Sequence, residues 1–446
     1  MTLAALCAAL NRGESRAVDL AEACSERIEA SDSEGSRTFI RRNPRLIEDA
    51  FEADRELQAG RGTPLTGIPV SVKDLFDIAG QVTTAGSVVL RDSPSAETDS
   101  AVVARLKAAG MVIVGTTNMT EFAYSGLGLN PHYGTPRNPY DREIGRIPGG
   151  SSSGAAVSVA DGMAAVAIGT DTSGSCRIPA ALCGLVGIKP TARRVPKTGL
   201  VPLSTSLDSV GPIGQSVSCC ALVDAVLAGE PEISVPASAS LSELTAGRLV
   251  NYVEDGVAPD VAAAYDLGLR RLEEAGLRIV DLQLHSLDAM PEIIADGGLT
   301  RYEAYLWHRP LLETRRDEYD PRVASRILVG RHGEPSDEAA YLAKIRLRQR
   351  MIERADQESR VVDFMVLPSV VMTAPSIDSL GDEDAYARTN LAMLRNPGVA
   401  NMLDRPAITL PIPGASHLPV GLTLMGETMG DRRLFAFARA AETALR

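Results

Sequence analysis

Apolar residues recur at three- and four-residue spacing over 3–10 and again over 17–30, which predicts two amphipathic helices. A third helix is predicted from Asn43 and Pro44, a capping residue followed by a proline at the first helical position. Residues 1–60 thus read as a helical layer. The period then shortens. Ile68, Val70 and Val72 alternate with Pro69 and Ser71, as in a short strand, and Lys73 and Asp74 sit where that strand ends. Residues 98–109 read as a helix stopped at Gly110, and 111–115 (MVIVG) as the strand after it. Helix and strand patterns alternate again downstream, as in an α/β fold.

The stretch 126–216 breaks the pattern. It is rich in Gly, Ser, Thr and Pro and carries few charges. Such a composition suits a flexible linker. The same stretch, however, holds AAVSVA, MAAVAIG and LCGLVGI, which can form buried helix and strand pieces. A packed core with close backbone approaches is therefore expected. Beyond 230 the charge density rises. Residues 247–253 and 277–282 read as strands flanking a helix at 258–275, and 290–362 as mainly helical. DFMVLPS, AITLPI and VGLTLMG read as short buried strands, and 431–445 as a closing helix. No internal repeat is visible, and 230–245 is the best candidate for a surface crossing.

Composition narrows the classes. The chain has 446 residues, enough for two or three domains or one large one. A net charge of −12 without a long basic run argues against a nucleic-acid partner. No run approaches the roughly eighteen apolar residues of a membrane span. The opening MTLAALCAALNRGESR lacks the basic and apolar regions of a signal peptide. Six Cys, with Cys219 and Cys220 adjacent, do not make a disulfide framework, so a reducing cytoplasm is expected. Five His make a His-rich metal site unexpected. Five Lys (Lys73, Lys107, Lys189, Lys197 and Lys344) stand against 40 Arg. Arg stays charged inside a protein, whereas a buried Lys can lose its proton. Each retained lysine therefore invites a chemical reading.

Two hydroxyl clusters, PGGSSSG at 148–154 and GTDTSGSCR at 169–177, are separated by roughly a helix and a strand. Three readings are open. Gly-rich backbone can cradle an anion, although GxxxxGK[ST] is absent and GLG at 126–128 lacks the third Gly of GxGxxG. Ser152 sits at the centre of a GxSxG match. A nucleophile elbow needs a strand directly before it, and NPYDREIGRIPG is polar and turn-like. It also needs a histidine, and His285, His308, His332 and His417 lie in polar or loop-like sequence. The third reading is a serine activated by lysine, since a Lys kept neutral by burial can accept a hydroxyl proton. Lys73 suits that role, and the plainer reading pairs it with Asp74.

Taken together, GIPVSVKD around Lys73, PGGSSSGAA around Ser151, GTDTSGSCRIPAALCGLVGIKPT around Ser175 and TSLDSVGPIGQSV at 205–217 resemble the amidase signature family of serine hydrolases. PAITLPIPG and LPVGLTLMG resemble its closing strands, so the resemblance runs from about residue 15 to 445 and is weakest over 230–400. It implies one α/β domain over 1–446, with a mixed central sheet covered by helices on both faces. Within that domain 61–220 would be the catalytic core and 230–400 the variable part that sets substrate. The resemblance also implies a Ser–Ser–Lys triad. Ser175 would be the nucleophile, Ser151 the proton bridge after a cis Gly150–Ser151 bond, and Lys73 the base. Backbone N–H groups of Thr172, Ser173, Gly174 and Ser175 would hold the oxyanion. Asp171 and Arg177 would pair and steady this loop, with Ser152 supporting it. Cys176 reads as a small core residue rather than a second nucleophile. No metal or organic cofactor is implied.

The implied reaction is hydrolysis of the C–N bond of a small carboxylic amide to acid plus ammonia or amine. Candidate substrate contacts are Gly149, Gly150, Asn118, Met119 and Tyr124, together with the cluster Arg301, Tyr302, Tyr305, Trp307 and His308, which holds the only Trp. That cluster reads equally as one face of a buried helix. A stand-alone homodimeric amidase with neither nucleic-acid nor membrane partner is the expected form. The alternatives are the amidase subunit of a tRNA-dependent amidotransferase, a hydrolase of biuret- or allophanate-type urea derivatives, and a binding protein that keeps the fold without the chemistry.

Overall fold

Eleven short strands, most of them runs of apolar and small residues, pair into one sheet in the computed structural model, which describes residues 3–330 and 335–446. The strands are β1 (Phe39–Arg42), β2 (Pro69–Lys73), β3 (Val112–Thr117), β4 (Val166–Asp171), β5 (Val186–Lys189) and β6 (Ser209–Gly214), then β7 (Thr245–Leu249), β8 (Arg278–Leu282), β9 (Phe364–Pro368), β10 (Ala407–Pro411) and β11 (Gly421–Met425). Their order across the sheet is β1-β3-β2-β4-β6-β5-β10-β11-β9-β7-β8. β2 runs parallel to β3 and β4, and β7 parallel to β8 and β9. The pairs between β4 and β9 are antiparallel, so the sheet is mixed.

Alternation along β4 shows that both faces are covered. Val166 and Ile168 enter the core formed with the N-terminal helices, while Ala167 packs with Ala155 and Ala156 on the opposite face. A strand covered on both sides has no polar face. That explains why every residue of β2 is buried, including Ser71 and Lys73.

The helical opening consists of Leu3–Asn11, Ala17–Glu29 and Leu46–Gln58. The third starts later than expected, because Asn43 uses its side-chain oxygen to accept from the Arg45 N–H, 3.0 Å away, and holds a turn first. The short helix Gly35–Thr38 and edge strand β1 have no apolar period and escape sequence reading. Residues 126–216 are packed, carrying helices Ser153–Ala160 and Arg177–Leu182 along with β4, β5 and β6. The segment 230–240 has no regular structure and crosses the surface. Helices Gly298–Arg315, Pro321–Leu328, Pro335–Glu358 and Glu383–Met402 fill most of the later part, and Asp431–Leu445 closes the chain. Among the described residues no helix is long and apolar enough to cross a membrane. His332 lies outside the described residues.

Candidate active site

Lys73 ends β2 and, two residues from Ser71, shares its face. Ser71 faces helix Ser153–Ala160 itself, and Lys73 the segment leading into it. Ser71 Oγ lies 2.8 Å from Ser158 Oγ, and Lys73 Nζ donates to Ser151 Oγ and Thr170 Oγ1, each at 2.8 Å. The plainer pairing with Asp74 does not form. Asp74 turns the other way and accepts from the Thr84 hydroxyl and from Gly86 N–H at 3.2 Å. Lys73 is wholly buried and makes no ion pair among the described residues. Desolvation therefore pulls its ammonium down from 10.5 to about 8, against the weaker opposing pull of Cys176, Asp208 and Asp171. Thr170 is the partner sequence reading missed. Its only signal was a hydroxyl at the end of an apolar strand.

The three adjacent serines separate cleanly. Ser151 follows a cis Gly150–Ser151 bond and reaches Lys73. Ser152 turns to the Thr170 carbonyl at 3.3 Å, and Ser153 to the Asn118 carbonyl at 3.4 Å. No strand precedes Ser152, as an elbow would need. Gly150 is required by a close approach, since a Cβ there would lie 2.5 Å from Gly128 N. Ser175 sits across from this segment, its carbonyl accepting from Ser152 N–H at 3.2 Å.

The loop carrying Ser175 is built on a buried ion pair. Arg177 grips Asp171 with Nη2 to Oδ1 at 2.9 Å and Nε to Oδ2 at 3.0 Å. Asn401 donates to Asp171 Oδ1 at 3.0 Å and accepts from Arg177 Nη2 at 2.7 Å. Asp171 also receives the N–H groups of Gly174 at 2.8 Å and Cys176 at 3.1 Å. Burial alone would raise the Asp171 pKa, but Arg177 and these hydrogen bonds hold it at about 2. Gly174 takes the turn at φ +119, where a Cβ would also strike Pro397 at 2.5 Å. The Gly174 N–H expected at the oxyanion is thus already donated to Asp171, which leaves the amides of Thr172, Ser173 and Ser175. Thr172 is fixed in turn by its hydroxyl, which donates to Asp208 Oδ1 at 2.6 Å. Cys176 is buried, with its thiol pushed up to about 12 by burial, and donates to the Gly211 carbonyl. We expect Arg177→Met to lose about 3–5 kcal/mol of stability in denaturant unfolding, because it strands the buried Asp171 charge. An unchanged midpoint would show that the pair does not hold the loop.

A cavity of about 630 Å³ opens at Thr172, Ser173 and Ser175. Its other walls come from Tyr124 and from the later helices, including Arg301, Arg326 and Arg395. Of the expected substrate contacts, Tyr124 and Arg301 line it. The others do not. Asn118 Nδ2 is used by the carbonyls of Arg37 and Gly134, both at 2.7 Å, and Met119 is wholly buried. Gly149 and Gly150 pack backbone to backbone against Gly128. Tyr305 and Trp307 pack against the core, and Tyr302 stacks on Tyr341 at 4.3 Å. His308 is not in polar surroundings. It lies among Phe122, Trp307 and Tyr319, and burial pulls it down to about 3. His285 and His417 are exposed.

Comparison with known proteins identifies the family and the fold. The family model described as Amidase matches residues 19–435. The 2-amino-5-chloromuconic acid deaminase of Comamonas testosteroni is 34% identical, with 100% of this chain and 96% of that protein aligned. A glutamyl-tRNA(Gln) amidotransferase subunit from Nitrosococcus oceani is 31% identical over 98% of this chain and 96% of its own. The native peptide amidase from Stenotrophomonas maltophilia superposes with a TM-score of 0.84 at 29% identity, covering 100% of this chain and 97% of that one. From the family match across nearly the whole sequence and the shared single-domain mixed-sheet fold, this chain belongs to the amidase family and is an amide-hydrolysing enzyme.

Proposed function

We propose that the protein is a stand-alone amidase that cleaves a small carboxylic amide through an acyl-enzyme on Ser175. The observation that carries this reading is the hydrogen bond from a wholly buried, desolvated Lys73 to Ser151, beside a cavity whose floor includes Ser175. Neutral Lys73 takes the Ser151 proton while Ser151 takes that of Ser175, whose oxygen attacks the amide carbon. The carbonyl oxygen becomes an oxyanion, held by amides of the 172–175 loop. The proton returns through Ser151 to the leaving nitrogen as the C–N bond breaks. Water, deprotonated by the same relay, then attacks the ester and releases the acid.

Substrate choice is assigned to 230–400, which supplies most of the cavity wall. A cytoplasmic homodimer is the proposed form, and the six free cysteines suit a reducing compartment. Ammonia release from a panel of small amides by the purified protein tests the function. Release that appears only with charged tRNA and a partner protein would overturn the stand-alone reading. Among the serines, Ser151→Ala is expected to lower turnover about 10²- to 10⁴-fold, the usual span for a proton-transfer group. Ser152→Ala should stay near wild type, because its hydroxyl meets the Thr170 carbonyl and the Cys176 thiol and has no bond to Lys73. The reverse order would return the nucleophile to the GxSxG reading.

A further inference from the structure

The cavity has a marked charge asymmetry. Arg301, Arg326 and Arg395 line it, and among the described residues no Asp, Glu, Lys or His does. The three come from separate helices, Gly298–Arg315, Pro321–Leu328 and Glu383–Met402. None forms an ion pair among the described residues, in a chain whose net charge is −12. They are instead steadied by groups that leave their charge in place. Arg326 Nη1 donates to the Tyr124 carbonyl at 2.7 Å, and its guanidinium lies 4.9 Å from the Tyr386 ring centre. Arg395 donates to the Val253 carbonyl at 3.2 Å and to Asn396 Oδ1 at 3.1 Å. Arg301 Nη1 donates to the Asp296 carbonyl, while its buried Nε has no partner among the described residues. Asp255 acts on Arg395 only at longer range.

A second feature has the same sign. Helix Gly298–Arg315 begins at the cavity, with Gly297, Gly298 and Thr300 in the wall. Its first turn has neither a side-chain cap nor an acidic residue, so the positive end of its dipole is not neutralised from within the helix, and Asp296 lies one residue before the cap. Positive groups inside low-dielectric walls focus the field on the cavity.

We infer that the cavity takes an amide whose far end carries a carboxylate, bound by Arg301, Arg326 and Arg395 while the amide lies at Ser175. The inference rests on Ser175 marking the reacting end. Guanidinium groups suit this task because their planar N–H forks match a carboxylate. The substrate class is then the monoamides of dicarboxylic acids, and a neutral amide of equal length fills the same space without meeting the charge.

Binding and turnover are measured separately. The Ser175→Ala protein is titrated by calorimetry with adipamate, the monoamide of a six-carbon dicarboxylic acid, and with hexanamide. Adipamate is expected to bind tighter by about 10- to 100-fold, the span of a charge-assisted hydrogen-bonded pair. Arg301→Gln should remove most of that ratio, and Arg301→Lys, which keeps the charge, should retain part of it. Equal binding of the two amides overturns the inference, as does equal loss in the Gln and Lys variants, which would reflect packing alone. Wild-type ammonia release is the second arm. If neither amide is hydrolysed while the binding ratio holds, the serine chemistry falls and the anion site stands. If both are hydrolysed and bind alike, the chemistry stands and the anion site falls.

Discussion

Lys73→Arg is expected to lower turnover of any amide the enzyme accepts by about 10³-fold, within the range for loss of a general base. The substitution keeps the positive charge and still offers donors to Ser151 and Thr170, so it tests one property alone. That property is the ability to be neutral, which Arg lacks. Lys73 has it because burial desolvates its ammonium and no paired carboxylate among the described residues offsets that, so its pKa falls to about 8. The sign for pH follows directly. Below about 8 the protonated form dominates, so the rate should rise with pH through that value and level off above it. Each unit lower should remove about tenfold when chemistry is rate-limiting. Lys189 is a second buried lysine drawn down to about 8, but its Nζ donates to the Pro190 carbonyl rather than to a hydroxyl. The limb must therefore persist in Lys189→Arg and vanish in Lys73→Arg. Near-normal turnover in Lys73→Arg, with circular dichroism unchanged, would remove Lys73 from the mechanism, as would a flat wild-type profile from pH 6 to 9 with chemistry rate-limiting.

How much of this was readable from the chain depended on whether the signal was local. The strand ending at Lys73, the helix capped by Ser100 and the closing strands β9 to β11 follow from period and punctuation. Ser151, Ser175 and the Asp171–Arg177 pair were reached through the family resemblance, not through periodicity. Spacing alone cannot say which of three adjacent serines meets Lys73. That is decided by the path of the backbone through Gly150 and by the cavities their rotamers find. The cavity wall was least readable. Arg326 and Arg395 sit on ordinary amphipathic helices, and only the tertiary packing of three distant segments brings them to one space. For the aromatic cluster the chain left two readings open, and packing selects the buried-helix one. Trp307 and His308 looked chemical because they are rare types, yet their neighbours Phe122 and Tyr319 make them core.

Ser175→Ala is expected to reduce turnover by about 10⁴-fold or more, the scale seen when a nucleophile that acts as part of a unit is removed. The fold should survive, because the loop is held through its backbone. Asp171 accepts from the N–H groups of Gly174 and Cys176, and none of these bonds uses the Ser175 hydroxyl. Thermal midpoint and circular dichroism should therefore match wild type, which separates lost chemistry from lost structure. Covalent capture then identifies the attacking atom. A fluorophosphonate should add one adduct to wild type, at Ser175 by peptide mass, and none to Ser175→Ala. Ser151 cannot substitute, since it is wholly buried and its hydroxyl is held by Lys73, whereas Ser175 lines the cavity. An adduct that persists in Ser175→Ala and maps to Ser151 would reverse the two roles. Persistence of turnover with neither serine labelled would mean that water attacks the amide directly. In that case Lys73 would act on water, and no acyl-enzyme would be trapped by hydroxylamine.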